Sequence, residues 1–159
     1  MIWRHIKVVV LFTFVVMLGI LAFIPLPDFP ATGFYETFET IYGDEIADKN
    51  LKYLAFDETS LPIGYRPYFN TLMRQYCRRN HMRYLIATYD ELKEDGYIID
   101  GGFQNGVILH FHNISMTGND NISGEISIYS GSLSATGRDF FTQYDDGWIV
   151  NTSNSFWIS

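Results

Sequence analysis

Two histidines one residue apart, His110-Phe111-His112, are the pair in this chain whose type and spacing best suit chemistry. Positions i and i+2 of a strand point the same way, so both imidazoles share one face. Two such rings supply half of a zinc or copper site, which needs one or two further donors. Glu125 or Tyr129 on a neighbouring strand, or His81, are the candidates for these. Alternatively, one of the histidines is a general base with Asp100 or Glu125 as its carboxylate partner. His110 and His112 are therefore candidate metal ligands, and His110, His112 and Glu125 candidate catalytic residues. The plain alternative is the polar side of a half-buried strand whose other side is Val107, Leu109 and Phe111.

The other polar clusters carry weaker chemistry. Arg74, Arg78, Arg79 and Arg83, with His81, form the one basic cluster after the first 24 residues. Arg74, Arg78 and Arg79 are candidate partner-binding residues; the competing account is the solvated face of an amphipathic helix. Asp90, Glu91, Glu94 and Asp95 lack the alternating oxygen ligands of an EF-hand and read as a charged helix end. Ser130-Gly131-Ser132 is not a nucleophile elbow, and no phosphate loop, dinucleotide fingerprint or Cys/His zinc pattern occurs. The sequence calls for no cofactor. Cys77, the only cysteine, sits on an apolar helical stripe, which makes it a core residue and rules out an internal disulfide. Asn113, Asn121 and Asn151 head Asn-x-Ser sequons, usable only in a eukaryotic secretory pathway.

The elements that must position these residues follow from periodicity. Phe34, Phe38, Ile41 and Tyr42 recur at helical spacing, with Thr32 as a cap and Gly43 as a weak point. Leu51 to Phe56 is ambiguous. Tyr68, Phe69, Leu72, Met73, Tyr76 and Cys77 form one apolar helix face, with Pro67 near the first turn. Leu85, Ile86, Tyr89 and Leu92 continue a helical rhythm that stops at Gly96, and a strand from Met82 to Thr88 is the alternative. Alternation then takes over: Val107 to Met116, Ile122 to Tyr129 and Arg138 to Tyr144 read as strands. Turns are expected at Thr117–Asn121 and Asp145-Asp146-Gly147. Helices followed by strands predict an α+β fold, with helices packed on a curved antiparallel sheet of four to six strands.

The stretch Tyr129-Ser130-Gly131-Ser132-Leu133-Ser134-Ala135-Thr136-Gly137, with Asp146-Gly147-Trp148-Ile149-Val150, resembles the last hairpins of small bacterial extracytoplasmic domains of the NTF2-like, or cystatin-like, type. The resemblance covers the end of the chain and rests on turn chemistry and a tryptophan. It implies a helix-wrapped curved sheet with a pocket at its wide end. Such folds serve binding, immunity, scaffolding and catalysis alike.

Val8 to Ile24 is an unbroken apolar run preceded by Arg4, His5 and Lys7. At 1.5 Å per residue it spans about 25 Å, at the margin of a hydrocarbon core of about 30 Å. The run is long for a cleaved signal, small residues are badly placed for cleavage, and prolines stiffen its exit. The reading is a signal-anchor over 1–27, a Pro-rich linker over 28–33 and a domain over 34–159. The basic flank keeps the amino end cytoplasmic and places the domain in the periplasm or outside the cell. No charge interrupts the run, so the membrane partner, bound through residues 8–24, is a tether rather than a conduit. Beyond it stand eighteen acidic residues against nine basic ones, which excludes nucleic acid as a partner. The leading expectation is an anchored protein-binding module, such as an accessory subunit of an envelope complex or an immunity-type protein. The alternative is a small-ligand binder or enzyme that uses His110 and His112.

Overall fold

Alternation in the short segment Tyr53–Phe56 sets the centre of the architecture. Leu54 and Phe56 face one way and are fully buried, while Ala55 is buried on the opposite side. The computed structural model describes residues 29–131 and 134–158. The expected anchor, including the apolar run 8–24, lies outside them. No helix among the described residues is long and apolar enough to cross a membrane.

Helix α1 (Phe29–Phe38) passes through a π-helical turn (Glu39–Gly43) into a short α2 (Asp44–Asp48). Strand β1 (Tyr53–Phe56), helix α3 (Arg66–Arg79) and strand β2 (Arg83–Ile86) follow, then α4 (Tyr89–Glu94). Two tiny strands, β3 (Ile98–Ile99) and β4 (Gly102–Phe103), precede four long ones. These are β5 (Gly106–Thr117), β6 (Asn121–Gly131), β7 (Ser134–Tyr144) and β8 (Trp148–Ile158). They form one curled sheet in the order β2-β1-β5-β6-β7-β8, with the β3–β4 hairpin joined to the end of β6.

The fold is α+β as expected, but the sheet is mixed rather than antiparallel. β1 runs parallel to both β2 and β5, and only β5 through β8 form an antiparallel ribbon. A strand–helix–strand crossover such as β1–α3–β2 joins parallel strands, because the helix returns the chain to the same end of the sheet. Met82 to Thr88 therefore contains a strand, and the helix begins only at Tyr89. Thr88 caps it in a reciprocal box: Glu91 N–H donates to Thr88 Oγ1 (3.3 Å) and Thr88 N–H donates to Glu91 Oε2 (2.7 Å).

α1 and α3 cover one face of the sheet. Phe34, Phe38, Phe69, Met73, Tyr76 and Cys77 pack there on Leu54, Phe56, Leu109, Phe111 and Phe140. Cys77 is a core residue, and burial pushes its thiol up to about 12. Residues 29–33, read as the end of a linker, are helical, with Ala31 fully buried. Thr32 lies inside that helix and accepts a hydrogen bond from Trp148 Nε1 (2.8 Å) instead of capping it. The opposite face is covered at one end by α4 and the β3–β4 hairpin, where Leu92, Ile98 and Phe103 pack on Ala55 and Ile108. Past Ile108 that face carries polar side chains.

Candidate functional site

His110 and His112 occupy the polar continuation of the Ile108 face. Their cross-strand partners on β6 are Ser127 and Glu125, and Tyr129 sits opposite Ile108. Residues directly opposite in an antiparallel pair project to the same side, so all these side chains gather on one surface. The imidazoles stack, with centroids 4.1 Å apart and planes 27° from parallel. His112 Nε2 lies 2.8 Å from the fully buried Ser127 Oγ and 3.5 Å from Tyr129 OH. The spacing argument for a shared face holds.

A bulge fixes where that face ends. Asn113 takes a positive φ of 50° and the β5–β6 register shifts between His112 and Ser115. The extra residue resets the alternation, so Ile114 and Met116 return to the helix-covered core although Phe111 already faced it. Gly124 sits across from the bulge. A Cβ there would meet His112 O at 2.9 Å and Ile114 Cα at 3.3 Å.

The carboxylate that contacts His110 is Asp57, which the sequence did not point to, while Glu125 stands across the strand pair from His112. Asp57 Oδ2 lies 3.3 Å from His110 Nδ1, within reach of a hydrogen bond. Asp57 directly follows β1, and its N–H donates to Leu109 O, which pins it beside His110 on the adjacent strand. Its other oxygen, Oδ1, accepts from the Thr59 N–H (3.0 Å) and the Thr59 hydroxyl (2.6 Å). The carboxylate is thus oriented from both sides. Burial lowers the His110 pKa below its ordinary value, and the neighbouring His112 lowers it further, against the opposing pull of Asp57. His110 is accordingly a neutral imidazole at pH 7. With Nδ1 turned to Asp57, its Nε2 has no hydrogen-bond partner among the described residues.

Asp57 also lines a cleft of about 160 Å³ at the carboxyl ends of the parallel strands β1 and β2, with Glu58, Thr59, Ile86, Ala87, Thr88 and Glu91. The crevice beyond such strand ends is where open α/β sheets hold ligands. Glu58 Oε2 accepts from Asn70 Nδ2 (3.2 Å), and Asn70 Oδ1 accepts from Tyr84 OH (2.7 Å). Hydrogen bonds from the Thr88 backbone and hydroxyl hold the Glu91 carboxyl below its usual range. The wall is one of carboxylates and hydroxyls around two apolar side chains.

The remaining candidates separate. His81 is exposed before β2, at the Gly106 end of the sheet and not at the His110 end. Among the described residues no group of three His, Cys, Asp or Glu side chains is placed to hold a metal ion. Arg79 donates to Tyr35 OH (2.7 Å) and pairs with Glu39 (3.1 Å), tying α3 to α1. Arg74 and Arg78 are exposed on another side of the helix. The residue that sequence reasoning missed is Asp57. An Asp two before a Thr, closing an apolar run, is a turn signal, but it marks a strand end only once Tyr53–Phe56 is known to be a strand. Comparison with family models, curated proteins and solved structures finds no match to this chain.

Proposed function

We propose that this chain is a membrane-tethered extracytoplasmic domain that binds a small hydrogen-bond-donating ligand at the Asp57–His110–His112 face, with His110 as proton acceptor. The tether is residues 8–24, and the cytoplasmic amino end follows from Arg4 and Lys7. The observation that carries the ligand reading is the Asp57 Oδ2 to His110 Nδ1 approach of 3.3 Å, which leaves Nε2 as the open, basic atom. An oriented neutral imidazole accepts a proton or a hydrogen bond near pH 7, whereas an imidazolium cannot. The carboxylates of Asp57, Glu58 and Glu91, with the hydroxyls of Thr59 and Thr88, favour donors such as amines and polyols and disfavour anions.

The test uses the full chain with ¹⁵N-labelled histidine in an uncharged detergent, titrated with simple amines, polyols and carboxylates. Movement of the His110 and His112 ring resonances by an amine or polyol, saturating and abolished by Asp57→Asn, supports the reading. Ring resonances indifferent to all three classes at high millimolar concentration overturn it. The tether is checked separately, by whether the chain stays with membranes after alkaline extraction.

A further inference from the structure

β2 is an edge strand: β1 pairs with one side of it, and no described strand pairs with the other. The hydrogen bonds to β1 show which residues point outward. Arg83 N–H donates to Lys52 O and Ala87 N–H donates to Phe56 O, so residues 83, 85 and 87 face β1. By alternation the N–H and C=O groups of Tyr84 and Ile86 point away from the sheet. Two such residues, i and i+2, are the docking element that an added strand uses.

The side chains around this edge are polarised. Tyr84 holds Asn70 of α3, which turns that side of the helix toward β2. Arg74 and Arg78 stand one and two turns further along the same side, near the start of the strand, and Arg83 opens the strand itself. All three are exposed and make no side-chain hydrogen bond or ion pair among the described residues. At the other end the strand presents Ile86, 40% exposed, and then the carboxylates Asp57, Glu58 and Glu91.

Charge on an edge strand is also a device for repelling other strands. Here Arg74 and Arg78 flank the start of the strand from the helix-covered face and Arg83 from the opposite face. An exposed isoleucine stands at the other end, a polarity that suits a strand acidic in one half and apolar in the other. We propose that the free edge of β2 receives an extended peptide strand of a partner protein, acidic beside Arg74, Arg78 and Arg83 and apolar over Ile86.

The experiment measures fluorescence anisotropy with the full chain in an uncharged detergent. The probe is a labelled eight-residue peptide with three glutamates in its first half and alternating valine and threonine in its second. A matched peptide carries lysines in place of the glutamates. The glutamate peptide is expected to bind at least about tenfold more tightly than the lysine peptide, with affinity falling as salt rises. Arg74→Glu with Arg78→Glu should weaken it about tenfold, the sum of two exposed charge pairs lost and reversed. Ile86→Pro removes one outward N–H and spares the β1 ladder, so it should abolish binding while circular dichroism is unchanged. Leu85→Pro, which does break that ladder, reports the signature of misfolding for comparison. No binding at millimolar peptide, equal binding of the two peptides, or binding indifferent to Ile86→Pro in a folded chain each overturns the proposal.

Discussion

A single carboxylate decides what the two histidines can do. Without Asp57, His110 and His112 would be a stacked polar pair; with it, one nitrogen of His110 is turned toward a carboxylate and the other is left open. The influences on His110 have opposite signs, which makes them separable. Removing the Asp57 charge in Asp57→Asn should lower the His110 pKa further, and removing the neighbouring ring in His112→Gln should raise it. Histidine ring resonances followed through a pH titration read both shifts. Two shifts of the same sign would mean that the rings are not disposed as described. The same depression has a consequence for stability. The unfolded chain takes up the proton first as pH falls below about 6.5, so stability is fully present above that value and is lost as pH falls through the folded pKa. Urea midpoints measured across this range should show the loss. His110→Gln should flatten it, and Asp57→Asn should carry it to lower pH.

At the scale of elements, the bulge at Asn113 controls which side chains reach the site, and Gly124 permits it. A side chain at Gly124 would press on His112 O and Ile114 Cα, both backbone atoms that cannot swing away. Gly124→Val is expected to cost about 1–3 kcal/mol, the usual range for overpacking. It should also move the His112 ring resonances, which a distant destabilising substitution would leave in place. A urea midpoint and a histidine spectrum of one variant decide it. Which elements were legible in the sequence follows from their length. α3 and the long strands β5 to β7 repeat their period often enough to be recognised, and the Asp145-Asp146-Gly147 turn was plain, but the polar middle of β8 hides its length. β1 and β2 are four residues each, β1 buried on both faces and β2 half-buried without alternation, so their apolar residues fit a helix as well as a strand. The parallel half of the sheet was hidden for that reason. Asp57 was hidden with it, because a residue beside His110 across two strands has no sequence signal until those strands are paired. The Thr88-x-x-Glu91 box was there to be read, and it would have placed the start of α4 and released residues 83–86 to be a strand.

For the whole molecule, the boundary between tether and domain is a physical question about the start of α1. A linker over residues 28–33 would contribute nothing to the fold, and its removal would be silent. The structure instead ties residues 31–33 to the core. Ala31 is fully buried, Thr32 accepts the Trp148 indole bond that ties α1 to β8, and Gly33 lets the helix approach so closely that a Cβ would fall 2.8 Å from Ile122 Cδ1 and 2.9 Å from the Trp148 ring. Trp148 in turn packs against Tyr144 on the neighbouring strand, so the first turn of the helix clamps the far end of the ribbon. Two truncations separate the accounts. A chain lacking residues 1–27 should fold as the full chain does and melt at the same temperature. A chain lacking residues 1–33 loses the buried Ala31, one hydrogen bond and the packing of Trp148. Its stability should fall by about 2–3 kcal/mol, or about 10 °C in melting temperature. Trp148 fluorescence should shift to longer wavelength as the ring becomes wet. Coincident melting curves for the two truncations would return residues 28–33 to the linker and leave the clamp without a role.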